Sequence, residues 1–478
     1  SHLHNGHTAS ESDGNPQDWI DSGEFWDHHY GNFPSGFDPR EKLTTLWYHD
    51  HRLDFTAANV YAGLFGFYLL FDDEDTGDER TGWHLPSFPD YDIPLILQDI
   101  KFQLDETGAA QVQFDNWNTD GVLGDRMTVN RRISPYLEVE PRKYRFRVLN
   151  GGPSRFYQLF LRADRKVDGS EHPLFVCLTG DGNFLPHPVE AESVFLSVAQ
   201  RVDIILDFSR YRPGDHVVLH NLLEQVNGAG PSGRLLDFGD ERTLLLRFDV
   251  VAPKHSEPDR SRIPEFFRPL PKVDLAEAKQ HRLWTFDYDG GLWTINGRVM
   301  DQNRIDAGIE QGSAEVWVFR NGGNDWSHPI HSHFTEFLIL EVNGRPFGPR
   351  HIQTVADEEM EFVRYLGQPD RAPIQVFMGG PRRDVATLLP GNEIKLFMRW
   401  KDFLGKHVLH CHNVVHEDHS MMVRWDIMEP GRGFTGPREA AEVYGPDPPP
   451  YEPPFPDYSP PAPPHIEERP GNPDEVEG

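Results

Sequence analysis

The stretch from His407 to Met422 constrains this chain more than any other. It reads H-V-L-H-C-H-N-V-V-H-E-D-H-S-M-M. Successive side chains on a β-strand point to opposite faces, so His410 and His412 share one face while Cys411 occupies the other. This single tripeptide can therefore supply ligands to two metal centres.

Two more side chains extend the ligand set on the cysteine face. His416 and Met421 follow Cys411 by five and ten residues. A thiolate, two imidazoles and a weakly bound thioether form the ligand set of a blue-copper site. Because only one of the imidazoles is local, the sequence predicts that a second histidine arrives from a distant strand.

Three further histidine pairs of the form His-x-His provide the remaining donors. The run D-W-S-H-P-I-H-S-H-F-T-E-F offers His328 as the missing imidazole, followed directly by one such pair. A lone histidine is usually a core or surface residue, but that interpretation fails for a whole set at matching spacings. The four pairs are His2 and His4, His49 and His51, His331 and His333, and His410 and His412.

With these motifs the chain resembles the multicopper oxidases, most closely the three-domain bilirubin oxidases, spore-coat-type laccases and phenoxazinone synthases. The resemblance extends to about Glu429. It rests on the four pairs in family order and on the segments W-Y-H-D-H, N-V-Y-A-G-L-F-G-F-Y, E-P-R-K-Y-R-F-R-V-L-N, W-T-I-N-G and H-C-H-N-x-x-H-E-D-H-x-M-M. It implies an all-β fold of three cupredoxin-like Greek-key β-sandwich domains. The first domain is expected to be incomplete at its N-terminus, because its histidine pair begins at His2.

The resemblance also implies four coppers per chain, held by twelve residues. The type 1 copper would take electrons from the donor, and the type 2 and type 3 coppers would form a trinuclear cluster between the first and third domains. The implied ligands are His328, Cys411, His416 and Met421 for type 1, His2 and His331 for type 2, and His4, His49, His51, His333, His410 and His412 for type 3.

Three other residues stand where the family places functional groups. Asp13, in E-S-D-G, and Glu417, in H-E-D-H, match its proton-relay carboxylates. Either acid could instead orient a ligand histidine through a hydrogen bond. Trp326, two residues before His328, matches a tryptophan beside the type 1 site, where it is either a donor contact or a packing residue.

The implied activity is one-electron oxidation of phenolic, aminophenolic or bilirubin-like donors, coupled to reduction of O2 to water. One alternative is a metallo-oxidase acting on Mn(II) or another metal ion, for which D-E-E-M-E at 357–361 is a candidate, although acidic runs are usually solvated. A second alternative is a non-catalytic copper-binding coat protein. The partners expected are a small aromatic donor and O2, and the oligomeric state is left open.

Changes in composition along the chain indicate where its domains begin and end. We expect residues 1–75 to be the remainder of domain 1, 91–251 a copper-free domain 2, 280–429 domain 3, and 431–478 a Pro- and acid-rich tail. The acidic run at 72–79 is expected to be a solvated connector. Fourteen of the last 48 residues are prolines, so the tail is predicted to be a linker, or else an oligomer contact or a cover on domain 1.

The net charge of −30 argues against nucleic acid as a partner. No apolar run approaches the ~20 residues of a membrane span, which predicts a soluble chain. Cys177 is the only cysteine besides Cys411, and it is expected to be a buried thiol. Because Cys411 is expected to bind copper, no disulfide framework is predicted. With no N-x-S/T sequon, a bacterial protein that is extracellular, periplasmic or coat-associated is favoured.

Overall fold

The computed structural model describes residues 1–254, 257–323, 325–347 and 376–445, which are built mainly of β-strands. Three short α-helices occur there: α1 (Thr56–Ala62), α2 (Val414–Asp418) and α3 (Ala440–Tyr444). Single turns of 3-10 helix span Ser10–Ser12, Ser35–Phe37, Pro39–Glu41, Glu241–Thr243 and Leu275–Glu277. Within these ranges, none of the helices has the length and apolar character needed to span a bilayer.

The first sheet carries two of the histidine pairs on adjacent strands. It consists of β1 (His2–His4), β2 (Thr45–His49) and β3 (Phe65–Leu69), all antiparallel. His2 pairs with His49, so the beginning of the sequence is fixed against the second histidine motif.

Two facing sheets around one apolar core form the middle of the chain. One has the order β13-β12-β15-β10-β4-β7-β8 and the other the order β26-β14-β11-β16-β17-β9. The strands are β4 (Asp92–Ile100), β5 (Phe102–Leu104), β6 (Ala110–Val112), β7 (Arg126–Val129), β8 (Arg132–Ile133), β9 (Tyr136–Val139), β10 (Lys143–Asn150), β11 (Tyr157–Ala163), β12 (Phe175–Gly180), β13 (Asn183–Ala191), β14 (Ser193–Leu196), β15 (Arg201–Asp207), β16 (His216–Asn221), β17 (Leu244–Val250) and β26 (Val376–Phe377). Strands β5 and β6 form a separate hairpin.

The last part of the chain forms a second pair of sheets with its own core. One has the order β19-β18-β22-β29-β24-β25, with β27 on β24, and the other the order β21-β31-β30-β23-β28. The strands are β18 (Ala278–Asp289), β19 (Leu292–Ile295), β20 (Arg304–Ile305), β21 (Ala307–Glu310), β22 (Ser313–Asn321), β23 (His328–Ser332), β24 (Phe337–Val342), β25 (Arg345–Pro346), β27 (Arg382–Arg383), β28 (Val385–Leu388), β29 (Glu393–Trp400), β30 (Gly405–Cys411), β31 (Met422–Met428) and β32 (Arg438–Glu439), the last pairing with β20. Cys411 and Met421 belong to this core.

The acidic run at 72–79 differs from the solvated connector expected from the sequence. Asp75 is buried and accepts two hydrogen bonds from Arg145, at 2.8 and 2.9 Å, and Glu79 is buried against Arg142. Arg145 lies on β10 and Arg142 directly precedes that strand, and both are buried. An unpaired charge in the interior is costly, so acidic residues of the run turn inward to meet them. The prediction was therefore wrong for Asp75 and Glu79.

The division into three domains stays a prediction. Most of the strands lie within the expected bounds. Strand β26 crosses the expected boundary, because Val376 and Phe377 extend the middle sheet by pairing with β14. Cys177 is a buried free thiol, as predicted. Residues 446–478 of the predicted tail lie outside the described residues.

Candidate metal centres

One centre surrounds Cys411 at the end of β30. Its Sγ atom lies 3.5 Å from Nδ1 of His328 and 3.6 Å from Nδ1 of His416, and these two nitrogens are 3.3 Å apart. All three side chains are fully buried. The distant imidazole is the one predicted, because His328 begins β23, which runs beside β30.

The turn after Cys411 explains how His416 returns to the same side. Asn413 caps α2 by accepting a hydrogen bond from the Val415 amide at 3.3 Å, and His416 lies in the one-turn helix that follows. The chain then reverses so that the Cys411 amide donates to the Met421 carbonyl at 3.1 Å. The buried Met421 side chain packs in the core that contains Cys411.

Aromatic rings enclose the outer side of this centre. The Trp293 ring is stacked on the His416 ring, with centroids 3.8 Å apart. Nε2 of His416 lies 3.0 Å from the Asp120 carbonyl oxygen, to which it can donate. Trp326 does not cover the histidines directly but packs edge-on against Trp293 at 5.1 Å. The sequence analysis used Trp293 only as part of the W-T-I-N-G segment and gave it no role at this centre, because a tryptophan in a strand is usually a core residue.

A second centre gathers all four histidine pairs from the first and last sheets. The Nε2 atom of His51 lies 3.0 Å from that of His333 and 3.3 Å from that of His410, and the latter two are 3.3 Å apart. In a tetrahedral shell with metal–nitrogen bonds of about 2.0 Å, ligand atoms are about 3.3 Å apart. The three imidazoles therefore already have the spacing of ligands to one ion.

The other five imidazoles adjoin this triangle, and every one is buried. Ring centroids are 3.8 Å apart for His2 and His333 and 3.7 Å for His4 and His331. His412 lies 5.0 Å from His4 and 5.1 Å from His49. The close groups that could bind an ion mix the predicted type 2 and type 3 ligands, so the assignment of each histidine to one copper stays a prediction.

The two predicted relay acids both contact ligand histidines. Asp13 Oδ2 accepts from Nδ1 of His333 at 2.7 Å, and the Asp13 carbonyl oxygen lies 2.6 Å from Nδ1 of His2. Glu417 places its two oxygens 3.2 Å from Nδ1 of His51 and 3.0 Å from Nδ1 of His410. Both acids are buried. Asp13 orients His333 and His2 by hydrogen bonds, whereas Glu417 lies close to His51 and His410 without a hydrogen bond to either ring among the described residues.

Asp384, which sequence reasoning missed, connects the second centre to the middle sheets. Its carbonyl oxygen accepts from Nδ1 of His331 at 2.9 Å, and its Oδ1 lies 3.2 Å from Nε2 of His4. Arg201 of β15 donates to its two oxygens at 2.9 and 2.7 Å. The R-R-D-V segment carries no metal-ligand motif, so no sequence signal marks this residue.

The electrostatics of both centres suit a cation. Burial lowers the pKa of His2 to about 4 and that of His328 to about 3, which keeps these imidazoles neutral and able to bind a metal near pH 7. Burial also raises the pKa of the Cys411 thiol, so a thiolate here requires an adjacent positive charge. Within the described ranges, Nε2 of His49 and of His331 has no hydrogen-bond partner, as expected for atoms reserved for a metal.

Copper fits these residues by donor chemistry, since thiolate and imidazole nitrogen are among its preferred ligands. The alternative run at 357–361 lies outside the described residues, and the structure therefore says nothing of a Mn(II) site there.

Comparison with known proteins agrees with this chemistry. The multicopper oxidase family model matches residues 272–430. The chain is 32% identical over 455 residues to a laccase of Bacillus stratosphericus, covering 90% of this chain and 80% of that protein. It is also 32% identical over 432 residues to the bilirubin oxidase of Albifimbria verrucaria, covering 89% of this chain but 66% of the relative.

Solved structures agree at the level of the fold. A multicopper oxidase of the hyperthermophile Aquifex aeolicus superposes with a TM-score of 0.67 at 23% identity, covering 89% of this chain and 83% of that one. A multicopper oxidase of Campylobacter jejuni, described as a metallo-oxidase, gives a TM-score of 0.63 at 20% identity, covering 90% and 79%.

The fold is that of the multicopper oxidases, with cupredoxin-like domains. The family model and the relatives named laccase and bilirubin oxidase show that the chain is a copper-dependent oxidoreductase. The chain belongs to the multicopper oxidase family, as the Bacillus laccase match shows, and its cofactor is copper.

Proposed function

We propose that this protein oxidises phenolic and aminophenolic donors one electron at a time and reduces O2 to water. The observation that supports the proposal best is the His–Cys–His centre, which shares strand β30 with the second, histidine-only centre. When bound, copper would supply electron acceptance at the first centre and O2 reduction at the second. Four donors give four electrons and four protons, which convert one O2 into two waters.

We propose the same ligand sets as those implied by the sequence. His328, Cys411, His416 and Met421 would hold the type 1 copper. The type 2 and type 3 coppers would be held by His2, His4, His49, His51, His331, His333, His410 and His412. Their convergence from both ends of the chain, at the distances given above, supports this assignment.

The remaining polar residues have positioning roles in this proposal. Asp13 holds the Nδ1 sides of His2 and His333 by hydrogen bonds, and the Glu417 carboxylate lies against the Nδ1 sides of His51 and His410, which leaves Nε2 of these rings for the metal. A carboxylate so placed can also pass protons through water toward the second centre. Asp384 holds two more imidazoles and is itself fixed by Arg201.

The test combines copper content, visible spectrum and O2 uptake of the full chain. The donors are 2,6-dimethoxyphenol, 2-aminophenol and Mn(II), assayed in parallel. Four coppers per chain, an intense blue thiolate band and uptake with the phenols are the expected result. Uptake with Mn(II) alone would establish the metallo-oxidase alternative. Full copper without uptake on any donor would favour a copper-binding protein, and a missing blue band would contradict the Cys411 assignment.

A further inference from the structure

The backbone adopts an unfavourable conformation directly after two of the four histidine pairs. Asn5, which follows His4, has a φ of 68°, and Phe334, which follows His333, has a φ of 71°. Asparagine tolerates this left-handed region, whereas a bulky aromatic residue is rare there. Phe334 is the centre of a γ-turn, in which the Thr335 amide donates to the His333 carbonyl at 2.8 Å, and the positive-φ form of this turn is strained. Strained residues persist only where the surrounding structure fixes them.

One buried carboxylate connects the two turns. Glu336 comes directly after the γ-turn, and its side chain is 4% exposed. Its Oε1 accepts a 2.9 Å hydrogen bond from Nδ2 of Asn5 and a second bond from Nδ2 of Asn183. Its Oε2 accepts from Arg382, which also pairs with Glu41. Hydrogen bonds with a charged partner are stronger than neutral ones. The turns after two histidine pairs are therefore tied to the same carboxylate.

The middle sheets hold the first of these turns from a second side. Asp181 and Gly182 form the two-residue loop between β12 and β13, and their φ values of 47° and 82° match the type I′ turn that Asp-Gly favours. The Asp181 carbonyl accepts from Nδ2 of Asn5 at 2.9 Å. Asn183, the next residue after the loop, carries the amide that meets Glu336. Sheets for which no copper ligand is predicted thus contribute to the surroundings of the second centre.

We propose that Glu336 is a positioning residue of the second centre, where it holds the turns after His4 and His333 in the conformation that copper binding requires. Asp13 and Asp384 contact the rings of these histidines, whereas Glu336 acts on the backbone that carries them. A site that is ordered before its ligand binds loses less conformational entropy on binding, so its affinity is higher. The inference rests on the proposed function, because it takes His4 and His333 to be copper ligands.

Chelator titration of the copper-loaded full chain measures the effect without a donor. The protein is dialysed against increasing EDTA, and copper per chain is counted together with the blue band, which reports on the first centre. We expect Glu336→Ala to keep the blue band and to release the copper of the second centre at about tenfold lower EDTA than wild type. Glu336→Gln, which retains an acceptor oxygen for the two asparagines, should return to within about threefold of wild type.

Glu315→Ala is the matched control for the loss of a buried, arginine-paired carboxylate. Glu315 is 2% exposed and pairs with Arg282 at 2.6 Å, and within the described ranges it has no hydrogen bond or ion pair to a histidine. Both alanine variants should lower the unfolding temperature, since each leaves a buried arginine without a partner carboxylate. Only Glu336→Ala should lower copper retention. An equal release of copper from both variants, or wild-type retention in Glu336→Ala, would overturn the proposal.

Asn5→Gly tests the same contact from its other side, and it carries the test if Glu336→Ala does not fold. Glycine adopts a positive φ without strain, so this variant loses the amide but can keep the turn. It should release the copper of the second centre at about fivefold lower EDTA. In the double variant with Glu336→Ala the two losses should not multiply, because both changes remove one shared hydrogen bond. Wild-type retention in Asn5→Gly, or losses that multiply, would overturn the proposal.

The same titration separates this inference from the proposed function. A wild type that keeps four coppers but oxidises no donor would contradict the proposed function and leave the role of Glu336 intact. A wild type without copper at the second centre would contradict the ligand sets, and the role of Glu336 with them.

Discussion

His331 and His410 lie directly opposite each other across the antiparallel strands β23 and β30, one step from the pair formed by Ile330 and Cys411. The ladder of a central sheet, rather than a loop, therefore sets the separation between the thiolate and the histidine cluster. Backbone hydrogen bonds inside a packed sheet are the last to open. We infer that the two centres keep a fixed relationship through folding and metal loading.

Replacing Cys411 should remove the first centre and leave the second. Cys411→Ser loses the thiolate, so the blue band should vanish and copper should fall from four to three per chain. Oxidation of 2,6-dimethoxyphenol should fall by more than about a thousandfold. The spectrum and copper analysis measure this, and Cys177→Ser, at the other buried thiol, should keep the blue band. A blue Cys411→Ser protein would contradict the ligand assignment.

Two variants of Asp13 separate orientation from proton transfer. Asp13→Ala removes the acceptor of the 2.7 Å hydrogen bond from His333, and copper affinity at the second centre should fall about 10- to 100-fold. Asp13→Asn keeps an acceptor oxygen but cannot carry a proton, so copper should stay while O2 uptake falls about 100-fold.

The partly exposed Asp18, which pairs with Lys406, gives the control Asp18→Asn, where neither quantity should change. Anaerobic bleaching of the blue band by the donor should be normal in Asp13→Asn. If Asp13→Asn consumes O2 at the wild-type rate, the residue only orients His333.

Removing Arg201 should destabilise the chain through Asp384. Both side chains are fully buried, so Arg201→Leu leaves a buried carboxylate without its cation, at a cost of about 3–5 kcal/mol. The unfolding temperature and the copper content should both fall, because Asp384 also holds His4 and His331. The exposed pair of Arg210 with Asp168 provides Arg210→Leu, which should cost less than about 1 kcal/mol.

His220 should contribute to acid sensitivity away from the metal centres. Burial, with a smaller contribution from Arg162, lowers its pKa to about 4, against about 6.5 in an unfolded chain. The unfolded chain therefore binds the extra proton first as pH falls, so stability is complete above about pH 6.5 and decreases toward pH 4. Between pH 7 and 4.5 the loss should be about 1–2 kcal/mol, allowing for partial solvent access.

Urea unfolding of His220→Asn at both pH values measures this effect, and the variant should show a correspondingly smaller loss. An unchanged pH dependence in His220→Asn would show that other groups dominate.

Site residues that belong to a local sequence pattern could be predicted from the sequence. Alternation along β30 predicted two faces for His410 and Cys411, and the structure has that arrangement. The roles of Trp293 and Asp384 could not be predicted, because each acts through a partner distant in sequence, His416 or Arg201. Trp293 belongs to the W-T-I-N-G segment, but that segment does not show which ring it covers, and Asp384 has no motif. The solvent exposure predicted for Asp75 was wrong for the same reason. An acidic run is expected to be solvated unless the buried arginine that it neutralises is known.

The alternation along β30 has a consequence for how this family can vary. Adding one residue between Gly405 and His410 would turn the thiolate toward the histidine cluster and the imidazoles toward Met421, exchanging the donors of both centres. Adding two would return every side chain to its own face. Changes of length here are thus governed by parity, and odd changes should be missing among functional variants even where even ones are tolerated.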